Sequence, residues 1–316
     1  MQREPRIVVV LATGGTIAGR AESAHDNVGY RAGAVPVGEL LAGIPVPEGV
    51  GVEAEQVAQL DSKDMDIATW QALLERAAHH LQRREVAGLV VTHGTDTLEE
   101  TAWLLQRVLA PGKPVVMTAA MRPATSLQAD GPQNLADALA CALEPGAQGV
   151  LAVLAGRVLA AEGLRKAHSW RLDAFDPGEA GALANIEQGR LRRWRDWPSG
   201  EPLGLQGLRR APEHWPWVEI VTSHAAARRG GVDALVEAGV QGLVVAGTGN
   251  GSLHHALQAA LERARARGVS VALVTRCAGG PVLAGPDAGW PTWNLAAPQA
   301  RVELMLRLLT QAETPT

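Results

Sequence analysis

The 316-residue chain reads as an α/β protein of two domains, a larger N-terminal one built on a parallel sheet and a smaller C-terminal α/β one. Short apolar runs alternate with helix-length amphipathic stretches, the pattern of βαβ units wound into a parallel sheet. Three of those runs, residues 7–12, 88–92 and 242–246, are nearly continuous Val, Leu, Ile and Ala, as suits strands covered on both faces. Each runs into glycines and small hydrogen-bonding residues: Thr13-Gly14-Gly15-Thr16, His93-Gly94-Thr95-Asp96-Thr97 and Gly247-Thr248-Gly249-Asn250-Gly251-Ser252. Open α/β sheets bind ligands at the carboxyl ends of their strands, so these loops are expected to line a site.

In chain order, residues 20–30 are polar, glycine-bearing and aperiodic, and read as a mobile flap beside the first loop. Residues 36–42 read as a short helix and 50–60 as a strand entering Asp61-Ser62-Lys63-Asp64. Helical periodicity covers 65–81, with Asp64 or Asp66 as N-cap. After the strand at 88–92, Thr97-Leu98-Glu99-Glu100 has the form of a capping box opening a helix over 97–109. A strand at 115–118, a long polar connection at 121–130 and a helix at 132–143 follow. Segments 149–159 and 182–191 read as hairpins or paired strands. Residues 192–215, rich in Arg, Trp, Pro and Gly, are the expected linker between domains at 1–191 and 216–316. Beyond it the alternation resumes, with strands at 218–222, 242–246 and 269–275 and helices at 232–238, 253–267 and 298–309.

Composition narrows the function classes. Apolar residues make up 47% and charged residues 20%, as in a soluble globular protein. A net charge of -4, with one basic run at 190–195, argues against a nucleic-acid partner. No apolar run approaches a membrane span, and the first residues lead straight into a strand without a signal peptide, so a cytoplasmic location is expected. Cys141 and Cys277 lie far apart and read as reduced, packed thiols. His79-His80 and His254-His255 fall in helical patterns where neighbours point in different directions, which reads as surface or partly buried histidines rather than metal ligands. A nucleotide site fails on detail: neither of the first two loops matches G-x-G-x-x-G or G-x-x-x-x-G-K-[ST], and Ser252 stands where the third loop needs its last glycine.

T-G-G-T-I-A-G at 13–19 together with H-G-T-D-T-L-E-E-T at 93–101 resembles the bacterial-type L-asparaginases, amidohydrolases with a threonine nucleophile. Further blocks agree: D-S-K-D-M at 61–65, P-V-V-M-T-A-A-M-R-P at 114–123, A-D-G-P-Q-N-L at 129–135 and G-T-G-N-G at 247–251. The resemblance runs along nearly the whole chain. It implies hydrolysis of L-asparagine, with L-glutamine as a second small-molecule substrate, through an acyl-threonine and without metal or cofactor. It also implies a homo-oligomer, dimer or tetramer, in which one subunit completes the site of another.

Site residues follow motif by motif. Thr16 matches the catalytic threonine, although spacing alone reads it more simply as a hydroxyl closing the Gly-Gly turn. Tyr30, the one tyrosine, matches after a one-residue shift the flap tyrosine that activates or orients the nucleophile; by itself it reads as packing. Thr95 and Asp96 would otherwise cap a helix, and Lys166 would be a solvated lysine. The resemblance brings the three together, with Lys166 easing deprotonation and Asp96 holding the lysine and the substrate's α-ammonium. Residue chemistry leaves open which of Thr16 and Thr95 forms the covalent bond, and Thr16 is the expected one. Ser62, ordinarily a turn former, matches the position that binds the α-carboxylate. Gly15, Gly94, Thr95 and Asp96 line the same pocket, and backbone N–H groups of the Gly94-Thr95 turn, with a water, are expected to meet the oxyanion.

Three departures bear on substrate preference. Lys63 stands where secreted-type enzymes carry Gln or Glu, and is expected beside the substrate's α-amino and α-carboxylate groups. Ser252 stands where an asparagine of a neighbouring subunit would reach the substrate. Residues 275–290 offer no match for that subunit's acidic residue, and Arg276-Cys277-Ala278-Gly279-Gly280 is closer to the cytoplasmic subgroup. Two other classes are weighed. An asparaginase-like amidotransferase subunit calls for an extra N-terminal domain and a tRNA-binding surface. A non-catalytic amino-acid sensor leaves the joint presence of Thr16, Tyr30, Thr95, Asp96 and Lys166 without a purpose.

Overall fold

The first strand, β1 (Arg6–Gly14), is buried from Val8 onward, lying inside the sheet with a paired strand along each edge. The computed structural model describes residues 6–283 and 289–311, and the chain divides into two compact units, Met1–Leu205 and Gln206–Thr316. In the first unit β1 is followed by the short antiparallel pair β2 (Arg20–Ala21) and β3 (Tyr30–Arg31), helix α1 (Val37–Leu41) and strand β4 (Val50–Leu60). Then come α2 (Ile67–Leu81), β5 (Val86–Thr92), α3 (Leu98–Leu109), β6 (Pro114–Thr118), α4 (Gly131–Ala142), β7 (Gly149–Leu154) and β8 (Arg157–Ala160). The pair β9 (Arg165–Lys166) and β10 (Phe175–Asp176) and the hairpin β11 (Ala184–Glu187) and β12 (Arg190–Arg193) complete it.

Eight strands form one sheet in the order β12-β11-β8-β7-β6-β5-β1-β4. From β4 to β7 the pairing is parallel, and from β7 outward it is antiparallel. Parallel neighbours need crossovers, which α2, α3 and α4 supply. The α2 helix buries Trp70, Leu73, Leu74 and Ala77, one stripe at helical spacing, and Asp66 caps its start by accepting from the Thr69 N–H at 2.8 Å. Leu151, fully buried in the sheet, shows the scale of the packing: truncation to Ala is expected to cost about 2–5 kcal/mol.

Three local expectations change. Thr97 precedes α3 but makes no side-chain cap bond, because its hydroxyl donates to the Ser62 carbonyl at 2.7 Å. His80 is buried rather than superficial: its Nε2 lies 3.0 Å from Glu55 and its Nδ1 3.1 Å from Arg83. Edge strand β4 presents Glu53 and Glu55 to Arg83 and Arg76, a charged edge that discourages pairing with another chain. Within residues 192–215, expected as linker, β12 reaches Arg193 and Trp197, Leu208 and Trp215 are buried.

The second unit carries a parallel sheet in the order β13 (Val218–Thr222), β14 (Gly242–Gly247) and β15 (Ser270–Thr275). Its helices are α5 (Gly230–Glu237), α6 (His255–Ala266) and α7 (Ala297–Gln311). His254 caps α6, accepting from the Ala256 N–H at 3.2 Å. Cys141 is buried, Cys277 is exposed, and both are free thiols. Among the described residues no helix is long and apolar enough to cross a membrane. Residues 284–288, part of the 275–290 stretch singled out above, lie outside the described residues.

Candidate active site

Three neighbouring strands of the first unit, β4, β1 and β5, end side by side, and their loops touch backbone to backbone. Gly15, at φ +80°, donates its N–H to the Leu60 carbonyl at 2.8 Å. A Cβ on Gly15 would lie 2.3 Å from the Gly94 Cα, and one on Gly94 would lie 2.4 Å from the Ser62 Oγ. Only glycines allow this approach. The next residues in the two loops are Thr16 and Thr95, so the contact sets both threonines at one place on the sheet's carboxyl edge.

Thr16 opens a short 3-10 turn, is 8% exposed, and its Oγ1 lies 2.6 Å from the Tyr30 Oη. Pairing of β2 with β3 carries Tyr30 back over the turn, where its ring rests on Gly19; a Cβ there would sit 2.8 Å from the ring. The stretch expected as a mobile flap is a hairpin docked on the 121–130 connection. Ala124 donates its N–H to the Gly19 carbonyl at 2.9 Å and Leu127 to that of Ala24 at 3.1 Å. The Ala21 N–H donates to Thr125 at 2.9 Å, and the Ser126 hydroxyl to Asn27 at 2.7 Å. That connection is itself held by Asp130, whose carboxylate accepts from the Met121 and Arg122 N–H groups, both at 2.9 Å. Burial pushes the Asp130 carboxyl above its ordinary value, and those amides pull the other way.

Across the contact stands a second cluster. Lys166 donates from Nζ to Thr95 Oγ1 at 2.9 Å and to Asp96 Oδ1 at 2.5 Å. Its side chain is 19% exposed, while Asp96 is half exposed and Thr95 buried. Ser62 is buried beneath, its Oγ accepting from the Asp96 N–H at 3.2 Å. His93 fixes the turn: its Nδ1 donates to the Gly94 carbonyl at 2.8 Å, and complete burial pushes its pKa down to about 4, so the ring is neutral at working pH.

Lys63 does not join this cluster. Its side chain is 60% exposed and its Nζ pairs with two acids of the same turn, Asp64 at 2.8 Å and Asp61 at 3.2 Å. Asp64 chiefly, then Asp61, raises its pKa. Ser252 lies in the second unit, exposed, bridged through its backbone to Thr248. Glu99, read above only as part of a cap, instead accepts from the Lys166 backbone N–H. Nothing in the local sequence signals a partner 67 residues away. Among the described residues no cluster of three or more His, Cys, Asp or Glu could hold a metal.

A threonine hydroxyl against a phenol, beside a threonine hydroxyl held by a lysine and carboxylate, is equipped for nucleophilic attack with proton transfer. Comparison with known proteins points the same way. Residues 7–198 match the family model described as asparaginase, N-terminal, and 217–316 that described as glutaminase/asparaginase C-terminal domain. The chain is 34% identical to L-asparaginase 2 of Bacillus subtilis over 97% of its own length and 83% of that protein's. It is 34% identical to the glutaminase-asparaginase of Pseudomonas fluorescens over 84% of its length and 74% of that protein's. The crystal structure of a probable cytoplasmic L-asparaginase from Campylobacter jejuni superposes with TM-score 0.90 at 33% identity, covering 98% of this chain and 96% of that one. With family models spanning both of its units, the chain belongs to the asparaginase family.

Proposed function

We propose that the chain hydrolyses L-asparagine to L-aspartate and ammonia through an acyl-threonine formed on Thr16. The observation that carries this is the 2.6 Å contact of Thr16 with Tyr30 in an asparaginase-family chain whose Thr95, Lys166 and Asp96 are hydrogen-bonded alongside. Thr16 Oγ1 passes its proton to the Tyr30 oxygen as the phenol hands its own proton on toward the substrate's amide nitrogen, and attacks the side-chain amide carbon. The tetrahedral oxyanion is met by N–H groups of the Gly94-Thr95 turn, which Gly15 lets pack against the Thr16 loop. The C–N bond breaks as the departing amine takes up a proton and leaves as ammonia. Water then adds to the acyl carbon, the negative charge that develops being stabilised by Lys166 through Thr95, and its proton passes to the Thr16 oxygen as C–O cleavage releases aspartate. Lys166 donates to Thr95 Oγ1, so the Thr95 hydroxyl proton is left to point at substrate or water. Ser62 binds the α-carboxylate, and half-exposed Asp96 accepts from the α-ammonium while holding Lys166.

No metal or cofactor is called for by these steps. L-Glutamine is the second substrate to compare, since relatives of this chain carry the name glutaminase-asparaginase. A homo-oligomer, in which Ser252 of a neighbouring copy approaches the substrate, and a cytoplasmic location belong to the same proposal; light scattering and cell fractionation test them. The central test is ammonia release from L-Asn, L-Gln and D-Asn by wild type and Thr16→Ala. Thr16→Ala is expected to lose several orders of magnitude in kcat while remaining folded. Near wild-type turnover by the folded variant would sink the nucleophile assignment.

A further inference from the structure

Glu99 is a carboxylate only 7% exposed, on the first turn of α3, and the steps above give it no part. Burying a carboxylate is costly unless strong donors hold it, so its partners are informative. Its Oε2 accepts from the Lys166 backbone N–H at 2.5 Å, a charge-assisted bond. Burial pushes the carboxyl up, while that N–H and the charges of Arg165 and Lys166 pull it down.

The strand so held is a weak tether by itself. β9 is two residues long, and Lys166 pairs there with Phe175. A two-residue ladder is marginal without further support. From this anchored backbone the Lys166 side chain runs to Thr95 and Asp96, which lie four and three residues before Glu99. One stretch of chain, the β5–α3 turn and first helical turn, therefore holds Lys166 by its amide at one end and its amine at the other.

We propose that Glu99 is a positioning residue, whose carboxylate oxygen fixes the Lys166 backbone so that the amine is delivered to Thr95. The inference rests on the catalytic part given to Lys166 above. Two conservative variants separate reach from charge. Glu99→Asp keeps the charge but withdraws the oxygens by about one C–C bond, 1.5 Å. Glu99→Gln keeps the reach and removes the charge.

Misplacement of a catalytic group by about 1 Å can cost on the order of a hundredfold. Glu99→Asp is therefore expected to lose about 10- to 100-fold in kcat for L-Asn with KM within about twofold, and Glu99→Gln to stay within about threefold of wild type. A role in stability alone moves the melting temperature and leaves this kcat-against-KM split unmoved. Exchange of the Lys166 amide, which needs no activity, is expected to be slow in wild type and Glu99→Gln and faster in Glu99→Asp. Wild-type kcat and slow exchange in Glu99→Asp, or a Glu99→Gln as impaired as Glu99→Asp, overturns the inference. Lack of ammonia release by the wild type itself would instead overturn the proposed function, and the exchange measurement still decides on the anchor.

Discussion

Tyr30→Phe removes one oxygen atom and leaves the ring on Gly19, so its effects can be worked out separately for stability and for catalysis. The lost contact is the 2.6 Å hydrogen bond to Thr16. A hydrogen bond of this kind contributes a net of about 0.5–1.5 kcal/mol to stability. For a unit of this size that is a fall in Tm of a few degrees, at about 2–4 °C per kcal/mol. Were the same bond worth 1.5 kcal/mol in the transition state and nothing more, kcat would fall by about 13-fold, at 1.36 kcal/mol per decade. A phenol that relays the Thr16 proton onward contributes more, about 10²–10⁴-fold. Tyr30→Phe is thus expected to lose at least about 100-fold in kcat with Tm lower by only a few degrees, read by ammonia release at saturating L-Asn alongside a thermal melt. A variant within about threefold of wild-type kcat would refute the proton-transfer part given to Tyr30 and leave it a packing residue.

Tyr30→Phe combined with Lys166→Met is expected to act non-additively, since both act at one acyl centre; additive losses in a double-mutant cycle would separate them. Asp130→Asn turns an amide donor toward the N–H of Met121 or Arg122, and is expected to raise KM several-fold and to speed hydrogen exchange across residues 19–30, measured by mass spectrometry. Lys63→Gln is expected to leave KM within about twofold, because the ammonium is already paired with Asp61 and Asp64; a large KM change in steady-state assays would contradict that geometry. His93 is depressed to about 4 in the fold, below the ordinary 6.5, so the unfolded chain binds its proton first and stability falls with acidification. That loss is expected between about pH 6.5 and 4, on the order of 3 kcal/mol, visible in urea melts as a slope that His93→Gln lacks.

Much of the architecture was legible because the local signals agreed with one another. The apolar strand runs ending in Gly-Thr, the Asp66 cap and the helical stripe of Trp70, Leu73, Leu74 and Ala77 each follow from spacing alone. Thr97 and Glu99 show where such reasoning stops. They carry the pattern of a cap, but tertiary partners, the Ser62 carbonyl and the Lys166 amide, outcompete the local bonds. Lys63 misled for the opposite reason. Its motif position suggested a long-range substrate contact, and two acids within its own turn captured the charge at short range. The closeness of Gly15 to Gly94 is a fact of strand order, which no single loop records.

The measurement that bears most directly on the proposed mechanism is acid quench of the wild-type enzyme turning over L-asparagine, followed by peptide mapping for an aspartyl ester. An adduct on the peptide at Thr16, absent from Thr16→Ala and accumulating in Lys166→Met as the second step slows, is the predicted result. An adduct on Thr95 with none at Thr16 would contradict the assignment and exchange the parts of the two threonines.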